Sequence, residues 1–396
     1  MSALFRFRHG LVPALLLAGA VPLAAQRVKL LVPVDALEAR ARQDSVDAPA
    51  HYELGLAYWV TEHYREAEAE FRRAIAIEPR TAPAYLALGY LPYADRSKLW
   101  NEEEKGKVPA EWQARMEEAA RFRRLAFLID PLVDLKPLAL MIPPASQFGL
   151  KGNREAAYTY LMNGFGSFWD GQYGRAYGFL HDIAGDATEE QRQHFAAWFL
   201  WYEALAAAHI SQPDRAIADL RILLARAEKA ERADGGAMLA FSNANEYRYT
   251  LACILDQAGH QDEAISLLQE ALTRDAGLYM AHVRLAAIYD ARKKPLSALE
   301  ERRRAVAANP DDPSLLFDLG EALARTGEIQ EAHQVLRQAR DANPRNVRAL
   351  YVLAWVAEQL GDSAEARQAL TSFLALAPSR FEAQKVTARS RLAALQ

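Results

Sequence analysis

The chain has 396 residues, a net charge of -4 and a single cysteine, Cys253. With 51% hydrophobic and 25% charged residues, it has the make-up of a folded protein rather than a disordered or polytopic membrane one. The slight acidic excess argues against nucleic acid as a partner, and one cysteine excludes an intramolecular disulfide or a multi-cysteine metal site.

Residues 1–25 place Arg6 and Arg8 ahead of an apolar run, Leu11 to Leu23, that ends in Ala24-Ala25. Cations, a short greasy stretch and small residues in that order predict a secretory signal peptide. The run carries Pro13, Gly19 and Pro22 and is too short to span a bilayer, so no stable transmembrane segment is expected after processing. The expected product is exported, periplasmic or secreted. Residues 26–47 then read as a lead-in helix.

A period of 34 organises much of the remaining chain. Pro310, Pro344 and Pro378 are 34 apart, and Gly259, Gly327 and Gly361 lie on the same lattice with Lys293 at its vacant point. In residues 48–81 the count places Leu54, Gly55, Tyr58, Ala67, Phe71, Ala74 and Pro79; in 313–346 it places Leu319, Gly320, Leu323, Ala332, Leu336, Ala339 and Pro344. This pattern resembles the tetratricopeptide repeat. The resemblance implies an all-α, right-handed solenoid of helix-turn-helix repeats, in which small residues let paired helices approach and the proline stops the second helix.

In chain order, residues 48–133 hold two such repeats. In the second, Gly89 and Ala119 stand 30 apart where the repeat needs 12, which predicts an inserted loop at about 91–108. A Pro/Gly-rich linker covers 134–156, and 157–230 holds two degenerate, aromatic-rich repeats. After a connector at 231–244, four regular repeats fill 245–380, and 381–396 suits a capping helix over the last open face.

The sequence offers little chemistry. None of its nine histidines forms the His-Glu-x-x-His pattern of a zinc helix, and there is no Gly-x-Ser-x-Gly elbow. The glycine-rich run Asn163–Gly171 lacks the Lys-Ser/Thr ending of a phosphate loop. Arg302-Arg303-Arg304 follow Glu300-Glu301 on one helix and read as a solvated, paired face. We therefore expect no catalytic, cofactor or metal site.

The conspicuous feature is aromatic: thirteen such side chains crowd the 45 residues from Tyr158 to Tyr202, either filling an uneven core or lining a groove. In tetratricopeptide repeats the first helix of each pair faces the concave groove at its second, fifth, ninth and twelfth repeat positions. The resemblance thus implies partner-binding roles for Tyr52, Trp59, Tyr90, Tyr93, Tyr158, Phe165, Phe168, Trp198, Trp201, Tyr249, Asp256, Asp290, Phe317, Glu321, Tyr351 and Trp355. The Lys and Asn that clamp a peptide's terminal carboxylate in some relatives are replaced by Tyr249 and Cys253, or Val283 and Ala287, so that role is not implied. Two readings remain: an envelope scaffold that holds a protein or peptide, or a glycan-binding or glycan-processing protein using the aromatic half and the 91–108 loop.

Overall fold

The structure, a computed structural model, describes residues 32–94, 110–133, 164, 167–168, 171–185, 187–233 and 243–395. The signal peptide, the 134–156 linker and most of the 91–108 loop lie outside them. Every regular element among the described residues is helical. In chain order these are α1 (Val34–Gln43), α2 (Ala48–Val60), α3 (Tyr64–Ile77), α4 (Ala82–Ala94), α5 (Ala110–Ile129), α6 (Tyr173–Ala184), α7 (Glu189–Arg192), α8 (Ala197–His209) and α9 (Pro213–Ala233). There follow α10 (Ala244–Gln257), α11 (Gln261–Arg274), α12 (Tyr279–Ala291), α13 (Pro295–Ala308), α14 (Pro313–Thr326), α15 (Ile329–Ala342), α16 (Val347–Gln359), α17 (Ser363–Leu376) and α18 (Glu382–Ala394). The fold is an all-α solenoid of helical hairpins. None of the described helices is long and apolar enough to cross a membrane. Helix α4 runs through Pro92 to Ala94, past the point where the loop was expected to begin.

Two compact units emerge. One contains Val32–Tyr58, Arg65–Tyr85 and His260–Gln396; the other contains Trp59–Tyr64 and Leu86–Gly259. In the first, helices pair where the sequence puts small residues. A Cβ on Gly55 would come within 2.6 Å of the Phe71 ring, and one on Gly320 within 2.6 Å of Leu336 Cγ, so glycine here permits the close approach of the two helices. Ala67, Ala298, Ala332 and Ala366 are fully buried on the facing helices. Asp312, Asn346 and Asp362 accept hydrogen bonds from backbone N–H groups in the first turns of α14, α16 and α17, which fixes where those helices start. The apolar cluster of the C-terminal hairpins joins Leu323, Leu336, Leu350, Leu353, Leu370 and Phe373, and α18 contributes Ala388 to it.

The turn between paired helices has a fixed backbone signature. Gly259, Gly327 and Gly361 take φ of 87°, 88° and 77°, and Lys293, at the vacant lattice point, is forced to φ 57°. A side chain with a Cβ is strained in this left-handed region by about 1–2 kcal/mol. Lys293→Gly should therefore stabilise the protein by about 0.5–1 kcal/mol, after allowance for the greater freedom of glycine in the unfolded chain. A urea titration showing a loss instead would refute the strain argument.

In the second unit α8 packs against α6 and α9, and α10 lies against α9 and the end of α5. Its core is aromatic. The Trp201 ring lies 5.8 Å from Phe127 and 5.7 Å from Tyr247, and the Phe168 ring sits 5.3 Å from Tyr173 and 5.1 Å from Tyr202.

Candidate functional site

The open face of the C-terminal hairpins is built by α12, α14 and α16. On α16, Arg348, Tyr351, Trp355 and Glu358 recur at intervals of three or four residues and so share one side of the helix. Trp355 is 38% exposed, one of the few large apolar side chains left open to solvent. The Arg391 guanidinium from α18 lies 5.1 Å over the Tyr351 ring and donates to Glu358 at 3.0 and 3.2 Å. Arg348 covers Phe317 at 4.8 Å and comes within 3.9 Å of Glu321. Cation and ring attract through the ring quadrupole, so these arginines both shield and orient the aromatic faces.

Beside this strip lies a cleft of about 170 Å³ lined by Val283, Ala286, Ala287, Arg302, Ala305, Leu315, Asp318 and Glu321. Arg302 donates to Asp290, and Arg325 stands 3.7 Å from the same carboxylate, which leaves Glu321 as the more open acid of this face.

The groove residues inferred from the repeat pattern divide sharply by burial. Glu321, Tyr351 and Asp290 line the face half-exposed, together with Trp355. Trp59, Tyr90 and Asp256 are half-buried elsewhere. Tyr52, Phe168, Trp201, Tyr249 and Phe317 are buried, with relative exposures of 6, 3, 5, 0 and 4%, and have no free face for a ligand. The reason is local covering. Phe71 packs against the Tyr52 ring, and the Tyr249 hydroxyl donates at 2.6 Å to the Leu128 carbonyl at the end of α5. Tyr158 and Phe165, and the side chains of Tyr93 and Trp198, lie outside the described residues. Within the aromatic stretch Tyr173, Phe199 and Tyr202 are buried as well, so the described rings there mostly build core rather than a surface for sugars.

Two polar features escaped the sequence reading. The first is a buried charge network. Arg192, the one buried side chain of the short helix α7, donates to Glu203 at 2.5 Å and to both Asp219 oxygens at 2.8 and 3.0 Å. Arg215 donates to Asp219 at 2.7 and 3.2 Å, and His181 lies 3.5 Å from Glu203. Glu203 and Asp219 are both fully buried. Burial, aided by the neighbouring Glu203, pushes the Asp219 carboxyl up to about 8 against the pull of Arg192.

The second is a recurring triad. His51 Nδ1 meets Glu70 at 2.6 Å and Arg73 holds the other Glu70 oxygen at 3.1 Å; His282, Glu301 and Arg304 repeat this at 2.7 and 2.9 Å. The shared separation of 19 residues between histidine and glutamate was the available signal. Among the described residues no group of three or more His, Cys, Asp or Glu side chains is placed to hold a metal ion.

Family comparison agrees with the hairpin geometry: the tetratricopeptide-repeat description matches residues 48–81, 249–313 and 317–381. These segments are tetratricopeptide repeats. Comparison with functionally curated proteins finds no match. Among solved structures, this chain is similar to the C-terminal part of a TPR repeat-containing protein from Cytophaga hutchinsonii. The identity is 14%, with 61% of this chain and 87% of that one covered at a TM-score of 0.47. It is also similar to MamA from Desulfovibrio magneticus RS-1, at 20% identity over 46% of this chain and 94% of that one, with a TM-score of 0.37. Likenesses of this size say nothing about function.

Proposed function

We propose that this protein is a non-catalytic scaffold or adaptor of the cell envelope that holds extended or helical peptide segments of a partner on the open face of its C-terminal repeats. The observation that carries this reading is the strip on α16, where Trp355 stands open between charged neighbours. A flat amphipathic ring in such a setting supplies contact area at low entropic cost. The tetratricopeptide repeats support protein binding in general. The envelope setting rests on the residues of the N-terminal segment, whose charged, apolar and small-residue order fits export.

The test is affinity capture from envelope extract with the mature chain and with its Trp355→Ala variant. A partner that uses this face should bind the variant more weakly by about 2 kcal/mol or more, while the melting curve barely moves because the ring is already open to water. Equal capture by both chains would remove the face from consideration. Mass spectrometry should find the mature protein starting near Gln26; intact Met1 on cytosolic protein would end the export reading.

A further inference from the structure

Within the unit that contains Val32–Tyr58, Arg65–Tyr85 and His260–Gln396, the turn after α3 lies across the loop edge of the C-terminal repeats like a bound peptide. Asn343 donates its side-chain N–H to the Ile77 carbonyl at 3.0 Å. Arg380 donates to the Glu78 carboxylate at 2.6 Å. Arg80 donates to Asp318, which also lines the cleft between α12, α13 and α14. A carbonyl, a carboxylate and a guanidinium are thus met one after another by three side chains from two successive repeats. These three contacts are polar, and the Arg80–Asp318 and Arg380–Glu78 pairs are partly exposed. Partly exposed ion pairs are individually weak and exchangeable.

The geometry points to a peptide-binding edge formed by Asp318, Asn343 and Arg380, held in cis by residues 77–80, whose outside partner is an extended segment carrying a carboxylate two residues before a guanidinium. The internal turn supplies the template for that ligand: Glu78 and Arg80 are spaced so that the acid meets Arg380 and the base meets Asp318. Such a partner displaces the turn, exposing Asp318 on the rim of the cleft to it. The inference rests on the peptide-scaffold reading only in taking the C-terminal repeats as a binding element, since the edge and the Trp355 strip involve different residues.

The experiment uses the full chain and, as probe, a fluorescein-labelled peptide of residues 77–82 followed by anisotropy. Arg80→Ala weakens the internal turn, so this variant is expected to bind the probe at least about tenfold more tightly than the unmodified chain, a difference of about 1.4 kcal/mol. Adding Asp318→Asn should cancel the gain, and a probe with alanine in place of arginine should bind neither chain. Circular dichroism should show Arg80→Ala folded, because the side chain leaves from a turn; if it is not, Arg80→Lys, which keeps the charge but loses the planar fork, should give a smaller gain in the same direction. Indistinguishable binding by the unmodified and variant chains, or a gain that survives Asp318→Asn, overturns the proposal. Capture that depends on Trp355 with no gain from Arg80→Ala keeps the scaffold reading and discards the edge; a gain from Arg80→Ala with capture indifferent to Trp355 does the reverse.

Discussion

Trp201→Ala should cost about 3–5 kcal/mol of folding stability, the range for truncating a buried aromatic side chain. The ring is only 5% exposed and sits between Phe127 and Tyr247 on neighbouring helices. Removing it deletes apolar contact on both sides, and surrounding helices held by their own backbone bonds close the void only in part. A denaturant titration should show the loss as a lower midpoint with an unchanged slope. The contrast with Trp355→Ala is the informative one: the two tryptophans occupy groove positions by repeat count, yet one substitution should unfold the protein earlier and the other should leave stability nearly untouched. Equal, small effects at both would mean that Trp201 is not core.

Arg192→Met should be as damaging through a different force. Arg192 is 2% exposed and pairs with both Glu203 and Asp219, themselves fully buried, where the more exposed Arg215 is a second cation. Removing one partner of a buried ion pair leaves a charge stripped of both water and counterion, and typically costs about 3–5 kcal/mol. The pH dependence arises from the acids. Because burial raises Asp219 to about 8, the stability it contributes is fully present below its usual value of 3.8 and is lost as pH rises through about 8. Without Arg192, which pulls against burial, that carboxyl is held protonated more strongly. The penalty should therefore grow as pH rises through about 8, where Asp219 ionises and most needs the cation, and shrink below it. Adding Glu203→Gln and Asp219→Asn to the variant should recover much of the loss. A penalty that is flat with pH, or a triple variant no better than the single one, would argue that Arg192 acts through packing of α7 alone.

The sequence by itself determined the all-α hairpin architecture, and did so for local reasons. Prolines 34 residues apart mark where helices stop, small residues at Gly55 and Gly320 mark where they approach, and the lattice point held by Lys293 marks a left-handed turn that the backbone then adopts. Each is a property of a few neighbouring residues. The histidine–glutamate pairs His51–Glu70 and His282–Glu301 were not read from the sequence, although both share a spacing of 19 residues inside one hairpin.

Which of the inferred groove residues are open was decided only in three dimensions. Tyr249 and Tyr351 hold the same position in their repeats, yet Tyr249 is sealed by a carbonyl at Leu128, 121 residues away, while Tyr351 stays half-open under Arg391. Arg192 reaches partners 11 and 27 residues on, and Arg80 reaches Asp318 across 238. Periodicity reports which side of a helix a residue occupies. Whether that side meets water, a ring or a counter-charge depends on which distant segment packs over it, and burial is a property of that whole arrangement rather than of any window of sequence.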